Sequence, residues 1–149
     1  MRKKAIWVDL DGTLFNIDHR LHFIQKSPQD WDGFLDAIPG DTVNGWCLAL
    51  IWAMRLSGHD IVYVTGRSDS SEQHTRDQLM KAMGPMGMTD ALHMRPRSDQ
   101  KHDREVKIEI LHKLRPLYDI VFAIEDRPSV CRALRLAGLV VLQCQDREF

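Results

Sequence analysis

The sequence predicts an α/β fold in which helices cover both faces of a five-stranded parallel sheet. Short apolar runs alternate with longer helical segments along the 149 residues. This alternation is typical of chains that form parallel sheets. Charged and hydroxyl side chains follow directly after several of the apolar runs. Because parallel sheets usually bind ligands beyond the carboxyl ends of their strands, these side chains are candidate functional residues.

The first strand is predicted from Ala5 to Leu10, a run that is short, apolar and partly β-branched, as expected of a buried parallel strand. A short helix is predicted next, because Ser27-Pro28 is typical of an N-cap followed by proline in the first turn. We expect this helix to continue through Trp31, Phe34 and Leu35.

A longer apolar helix follows, which we expect to be capped by Asp41 or Thr42 and to end near Ser57-Gly58. Strands and helices then alternate to the end of the chain. Four more strands are predicted at Ile61 to Thr65, Ala91 to Arg95, Ile120 to Ile124 and Leu139 to Leu142. Three more helices are predicted at about Ser71 to Met83, Glu105 to Leu114 and Pro128 to Ala137, the last of them closed by Gly138.

The composition predicts one domain that spans residues 1–149. Hydrophobic residues make up 44% of the chain, which is enough for a core. The formal net charge is −1, so any binding of nucleic acid would depend on a local basic patch. The three cysteines are far apart and form no CxxC motif, which argues against a disulfide framework or a zinc knuckle.

The hydropathy pattern predicts neither a signal peptide nor a membrane span. The apolar run that follows the basic N-terminus stops at Asp9, which is too early for a signal peptide. The longest apolar run, Trp46 to Met54, is far below the ~20 residues that cross a bilayer. We therefore expect a cytoplasmic protein with no membrane partner.

Polar residues lie at the carboxyl ends of three predicted strands. Asp9 and Asp11 end the first strand, Thr65-Gly66-Arg67 end the second and Glu125-Asp126 end the fourth. Because these ends meet at one edge of a parallel sheet, four carboxylates, a hydroxyl and a guanidinium are expected to converge on one crevice.

Four crowded carboxylates repel one another unless a cation lies between them. Mg²⁺ fits this need, since it takes one or two protein carboxylates and completes its shell with water and phosphate oxygens. A phosphate group is then the expected substrate, with Thr65 as a hydrogen-bond donor and Lys107 as the neutralising cation. Asp103 and Lys107 form an i,i+4 pair, which taken alone could equally be an ordinary surface ion pair.

These residues carry a resemblance to a known superfamily. Asp9-Leu10-Asp11-Gly12-Thr13 resembles motif I of the haloacid dehalogenase (HAD) phosphotransferases. Thr65-Gly66-Arg67 resembles motif II, Lys107 motif III and Glu125-Asp126 the acidic motif IV. The four motifs follow in the family's order along nearly the whole chain. The resemblance implies a HAD-like, Rossmann-like sheet.

A closer resemblance is to the 3'-phosphatase domain of phage polynucleotide kinase/phosphatase. It is carried by "DLDGTLFNIDHR", "VTGR", "DREVKIEIL" and "EDRPSVCRALRLAG". The sequence contains no GxxxxGK[ST] motif, so a P-loop kinase half is not expected. Two positions depart from the family pattern. Glu125 replaces a common aspartate, and Leu134 replaces a common tryptophan before Arg135.

The resemblance implies a catalytic role for each of four residues. Asp9 would be the nucleophile that forms an aspartyl-phosphate. Asp11 would protonate the leaving hydroxyl and then activate water. Thr65 and Lys107 would hold the transferring phosphoryl group.

It also implies a set of binding residues. Arg20, Gly66 and Arg67 are placed at the phosphate or the neighbouring nucleotide, and Asp103 is expected to orient Lys107. Mg²⁺ would be bound by Asp9, the Asp11 backbone carbonyl and Asp126, with Glu125 acting through water. The basic stretch from Arg95 to Arg104 is either a solvated loop or a rim that contacts nucleic acid. We expect Trp31 and Phe34 to pack under a small lid, with stacking on bases as the alternative.

The sequence thus predicts a Mg²⁺-dependent phosphomonoesterase that removes 3'-phosphates from DNA or RNA ends, as in phage-encoded nucleic acid repair. A minimal cap of about residues 15–42 would leave the site open to a polymer end. A nucleotidase or another small-molecule HAD phosphatase is the alternative. An inactive binding module with the same fold is a lesser one.

Overall fold

A five-stranded parallel sheet forms the centre of the protein in the computed structural model, which describes residues 1–149. The strand order is β5-β4-β1-β6-β7, and every neighbouring pair is parallel. The five strands are β1 (Lys3–Val8), β4 (Asp60–Ser68), β5 (Ala91–Arg95), β6 (Tyr118–Glu125) and β7 (Val141–Gln143). The predicted fold class is confirmed, and all five predicted strands are present.

Helices cover both faces of this sheet. They are α1 (Trp31–Asp36), α2 (Gly45–Leu56), α3 (Glu72–Met83), α4 (Met86–Thr89), α5 (Asp103–Leu114) and α6 (Pro128–Leu136). Strand β1 shows the layering, because successive side chains of a strand point to opposite faces. Ala5 and Trp7 pack with α5 and α6, whereas Ile6 and Val8 pack with α2 and α3. No helix has the length and apolar character that a membrane span requires.

Two predicted helix starts are wrong. Helix α1 begins at Trp31, because the Asp30 carboxylate accepts a hydrogen bond from the Gly33 amide at 2.8 Å and so supplies the N-cap. The long apolar helix α2 begins at Gly45 rather than directly after Asp41 or Thr42. The reason is that β3 (Thr42–Val43) pairs with β2 (Phe15–Asn16) in a small antiparallel sheet.

Residues 15–42, predicted as a small cap, lie above the main sheet's carboxyl edge. Besides α1, β2 and the start of β3, they contain a 3₁₀ helix, Asp18–Phe23. Four buried side chains, Ile17, Leu21, Ile24 and Phe34, form a separate apolar cluster in this segment. The expectation that Trp31 would also be buried is wrong, since 47% of its surface is exposed.

A buried leucine of α5 gives a stability prediction for the core. Leu111 on α5 is fully buried between the sheet and α6. Leu111→Ala should lower the free energy of unfolding by about 2–5 kcal/mol, because it leaves a cavity in the core. Leu136→Ala is the control, since Leu136 is 88% exposed and should change stability by about 0.5 kcal/mol or less. Equal effects of the two substitutions in urea unfolding would contradict the assignment of this core.

Candidate active site

The functional side chains predicted from the sequence meet at the carboxyl edge of the sheet. Asp9 follows β1, Thr65 lies in β4 and Asp126 follows β6, while Lys107 comes from the second turn of α5. All four are at most 3% exposed, yet each lines a cavity of about 800 Å³. The neighbouring strands β1 and β6 are held together at this point by a hydrogen bond from the Asp9 amide to the Ile124 carbonyl, 3.1 Å.

Three carboxylates form a compact acidic cluster, of which Asp9 and Asp126 line the cavity. One oxygen from each of Asp9, Glu125 and Asp126 lies within 4.8 Å of the others. The Lys107 ammonium donates to Asp9 Oδ1 at 2.9 Å and to Glu125 Oε1 at 2.5 Å. The Thr13 hydroxyl donates to the other oxygen of Asp9, Oδ2, at 2.7 Å. Asp9 is therefore held at both oxygens in one orientation.

The charges in this cluster do not balance. Burial, followed by the charge of Asp9, raises the pKa of Asp126 to about 9 and raises the pKa of Glu125 well above its ordinary value. Burial opposes the charged form of Lys107, but Asp103, Asp9 and Glu125 outweigh it and raise the pKa of its ammonium. One lysine thus faces several carboxylates, so the cluster has a deficit of positive charge.

A divalent cation fits this deficit. Asp126 Oδ2 is buried and has no hydrogen-bond partner, although a buried carboxylate oxygen without one is costly. The donors are all oxygens, which is the ligand type that Mg²⁺ prefers. The predicted metal ligands Asp9, Glu125 and Asp126 are thus brought together, whereas the Asp11 side chain is not part of the cluster.

Asp11 faces two guanidinium groups instead. Its Oδ1 accepts hydrogen bonds from Arg20 Nη2 at 2.7 Å and from Arg67 Nη2 at 2.6 Å and Nε at 3.0 Å. Burial opposes ionisation of Asp11, but the charges and hydrogen bonds of Arg67 and Arg20 outweigh it and hold the pKa of this carboxyl well below its usual range. Asp11 also lines the cavity, so its carboxylate reaches the space where a substrate would lie.

The Arg20 side chain contacts other protein groups and does not reach the cavity surface. Its side chain has no exposed surface, it does not line the cavity, and its guanidinium packs 4.1 Å above the Phe34 ring. Arg67, by contrast, lines the cavity. Arg20 thus binds protein carboxylates in this structure, and its predicted place at the phosphate or the neighbouring nucleotide stays a prediction.

Asp41 was missed as a functional residue by the sequence analysis, which took it for a helix cap. Its Oδ1 accepts from Arg20 Nε at 2.7 Å, and its Oδ2 accepts from Arg20 Nη2 at 2.7 Å and Gln78 Nε2 at 2.9 Å. Arg67 Nη2 lies 3.4 Å from the same Oδ2. No local sequence signal marks this aspartate, because Arg20, Arg67 and Gln78 come from three separate segments of the chain.

Two glycines of the motifs allow close approach of backbone to carboxylate. Gly12 has φ +80°, and a Cβ there would lie 2.1 Å from Asp126 Oδ2. A Cβ on Gly66 would lie 2.1 Å from Asp103 Oδ1. Gly66 therefore serves first to admit Asp103, whose Oδ2 lies 3.5 Å from the Lys107 ammonium, as expected of a residue that orients this lysine.

The basic stretch after β5 lies partly at the cavity. Arg95, Arg97, Lys101 and His102 line it, whereas Arg104 does not. Arg95 is tied to the protein by hydrogen bonds to the Gly66 and Lys101 carbonyls. Of the two aromatic residues expected to pack under the lid, Phe34 is buried at 3% exposure and Trp31 is exposed, and both line the cavity.

Comparison with solved structures relates this fold to known enzymes. Two structures of a Pnkp1/Rnl/Hen1 complex, one of them described as an RNA repair complex, each contain a chain that is 23% identical with a TM-score of 0.80. They cover 99% of this chain, which spans only 44% and 48% of theirs. A class C acid phosphatase from Bacillus anthracis is 20% identical with a TM-score of 0.64, and covers 87% of this chain and 54% of its own. At these identities the likeness establishes the fold.

The family itself is shown by the sequence. No curated protein sequence matches the chain. A family model described as the polynucleotide kinase PNKP phosphatase domain, however, matches residues 3–149. Because this match includes every element of the sheet and all of the clustered residues, the chain belongs to the PNKP phosphatase-domain family of the HAD superfamily.

Proposed function

We propose that this phosphatase removes 3'-phosphates from the ends of DNA or RNA in a Mg²⁺-dependent reaction that proceeds through an aspartyl-phosphate. The hydrogen bonds of Asp9 and its place in the cavity are the main support for this proposal. Its carboxylate is held at both oxygens by Lys107 and Thr13 on the floor of a cavity whose wall includes Arg95 and Arg97. We also propose that residues 1–149 act as one phosphatase domain with about residues 15–42 as a small cap.

In the first step, an Asp9 carboxylate oxygen attacks the phosphorus, and the bond from phosphorus to the sugar 3'-oxygen breaks. Asp11 gives its proton to that departing oxygen. Thr65 donates to a phosphoryl oxygen, and Lys107 neutralises the charge that spreads over the transferring group. A phosphate dianion beside Arg67 competes with Asp11 for the guanidinium, which favours the protonated form of Asp11 that this step needs.

In the second step, Asp11 takes a proton from water, and the resulting hydroxide oxygen attacks the phosphorus of the aspartyl-phosphate. The bond from phosphorus to the Asp9 oxygen breaks, which releases inorganic phosphate and restores the carboxylate. The ion pairs of Asp11 with Arg20 and Arg67 favour the charged form of Asp11 that acts as the base here.

Asp9, Asp126 and the Asp11 backbone carbonyl would hold Mg²⁺, and Glu125 would act through water. When bound, the ion neutralises phosphate oxygens and keeps the carboxylates from repelling the substrate dianion. Glu125 also has a second task in this chain, because both of its oxygens accept from Lys107.

Two substrate classes remain in contention. The cationic residues at the cavity and the family membership support phosphorylated ends of nucleic acid, and an RNA repair complex contains one neighbour of similar fold. The acid phosphatase neighbour has the same fold, which supports the alternative of nucleotides or other small phosphomonoesters. An inactive binding module is disfavoured, because the clustered acids, Thr65 and Lys107 are all present.

The substrate class is tested with four phosphomonoesters that differ in the position of the phosphate and in the group that carries it. We expect a 3'-phosphorylated oligonucleotide to be dephosphorylated with a higher kcat/KM than the same oligonucleotide with a 5'-phosphate, a 3'-mononucleotide or an aryl phosphate. Asp9→Asn is the control and should abolish release of phosphate from all four, because an amide cannot form the acyl-phosphate. A preference of the parent protein for mononucleotides would favour the small-molecule alternative. Activity of Asp9→Asn within tenfold of the parent would contradict the assignment of Asp9 as the nucleophile.

The metal proposal makes a separate prediction about Asp126 and Glu125. Chelation should abolish activity and Mg²⁺ should restore it. Asp126→Asn should raise the Mg²⁺ concentration for half-maximal activity by at least about 10-fold, and by more than Glu125→Gln does, because Asp126 would contact the ion directly. Calorimetric titration of Mg²⁺ into the unreacted protein should give the same order. The reverse order would show that the roles of the two acids are exchanged.

A further inference from the structure

One exposed tryptophan lines the cavity. Trp31, the first residue of α1, lines it and keeps 47% of its surface exposed. The other tryptophans differ in this respect, because Trp7 is fully buried, and the exposed Trp46 and Trp52 do not line the cavity. An exposed ring therefore occurs at the place where a phosphorylated ligand would enter.

A chain of side-chain contacts connects this ring to the proposed acid, Asp11. Trp31 packs edge-on against Phe34, with ring centroids 5.6 Å apart and an interplanar angle of 85°. Phe34 in turn lies 4.1 Å from the guanidinium of Arg20, which donates to Asp11 at 2.7 Å. Phe34 and Arg20 are thus the two side chains that connect the tryptophan ring to the proposed acid. Because Trp31 keeps 47% of its surface exposed, part of its side chain is open to a ligand in the cavity.

The same cavity carries cations that are suited to a polymer backbone. The Arg97 side chain is 72% exposed, and its only partner is Asp69, with Nε to Oδ1 at 3.3 Å. Such an exposed pair is weak and easily exchanged for another anion. Lys101 lies nearby in the sequence and also lines the cavity.

We propose that Trp31 is a stacking platform for the base of the 3'-terminal nucleotide, with Arg97 at the adjoining backbone phosphate. The assignment rests on the proposed function and narrows its substrate to phosphates that carry a nucleobase. Stacking tolerates any base, since every base has a π-face. The platform therefore selects nucleic-acid ends over sugar or glycerol phosphates without selecting a sequence.

The experiment combines substitution of Trp31 with removal of the terminal base from the substrate. Two 3'-phosphorylated oligonucleotides are compared, one normal and one abasic at the terminal nucleotide. Trp31→Ala should lower kcat/KM for the normal oligonucleotide by about 5- to 150-fold, the loss that corresponds to one stacked base. It should leave the abasic oligonucleotide within twofold of the parent. Trp31→Phe should keep most activity, and Trp46→Ala should change neither substrate.

Equal losses on both oligonucleotides would overturn the platform and assign Trp31 to packing of the cap. No loss on either would overturn it as well. If the parent hydrolyses an aryl phosphate but neither oligonucleotide, the proposed function fails and the platform fails with it.

A second, independent observation concerns Asp41. Its side chain is fully buried and does not line the active-site cavity, yet it forms a bidentate pair with Arg20 and lies 3.4 Å from Arg67. Those two guanidiniums make all the side-chain hydrogen bonds of Asp11. Gln78 reinforces the arrangement, because it donates to Asp41 and accepts from Arg67.

We infer that Asp41 is a positioning residue, which holds the two guanidiniums that aim the Asp11 carboxylate at the leaving oxygen. This inference also rests on the proposed reaction. Bidentate pairing with an arginine fixes an orientation, which a single hydrogen bond does not. Asp41 precedes β3, so the short β2–β3 sheet links the geometry of the cap to the acid.

The test uses the leaving group, because an alkyl phosphate needs a proton at its leaving oxygen and a p-nitrophenyl phosphate does not. The ratio kcat/KM reports only steps through formation of the aspartyl-phosphate. Asp41→Asn should lower it at least about tenfold more for a 3'-phosphorylated oligonucleotide than for p-nitrophenyl phosphate, and Asp41→Glu should restore part of the loss. The control, Asp90→Asn, breaks a comparable ion pair with Arg55 outside the site and should leave the substrate ratio unchanged. Equal losses on both substrates, or none, would overturn the inference.

Discussion

Crowding of buried carboxylates is the constraint on which the rest of the structure depends. Asp9, Glu125 and Asp126 lie within 4.8 Å of one another and are at most 3% exposed. Charges in such a place are unstable without partners. The fold supplies one such partner. Strand β1 is central and β6 is its direct neighbour, and α5 brings the Lys107 ammonium to the edge where both strands end. The positions of β1, β6 and α5 thus determine which carboxylates face Lys107.

The sequence analysis succeeded where a local pattern and a rule of topology acted together. Apolar β-branched runs identified the strands, and the rule that ligands bind beyond their carboxyl ends placed Asp9, Thr65 and Asp126 in one crevice. Lys107 followed from its helix and from the resemblance to the HAD motifs. These residues lie at the ends of strongly patterned elements, so the fold class alone positions them closely.

The missed features depend on weak or distant interactions. Asp41 is defined by Arg20, Arg67 and Gln78, which come from other segments and leave no spacing to recognise. The β2–β3 pair has only two residues in each strand, which is too short to produce an alternating pattern. Because this pair forms, α2 begins later in the sequence than predicted, at Gly45. Asp41, predicted as a possible helix cap, therefore lies before β3 with a buried side chain. The exposure of Trp31 likewise depends on how α1 packs.

The two aspartates that follow β1 show how one strand end supplies two chemistries. Asp9 faces Lys107 and two further carboxylates, a setting that favours a metal ion and a phosphorus centre. Asp11 faces Arg20 and Arg67, a setting rich in positive charge. Carboxylates in opposite surroundings can take different roles. The cap contributes Arg20 and Asp41 to the surroundings of Asp11 and the sheet contributes Arg67, whereas the surroundings of Asp9 come from the sheet and α5. In the proposed reaction, a change in the cap would therefore alter proton transfer by Asp11 without altering the surroundings of Asp9.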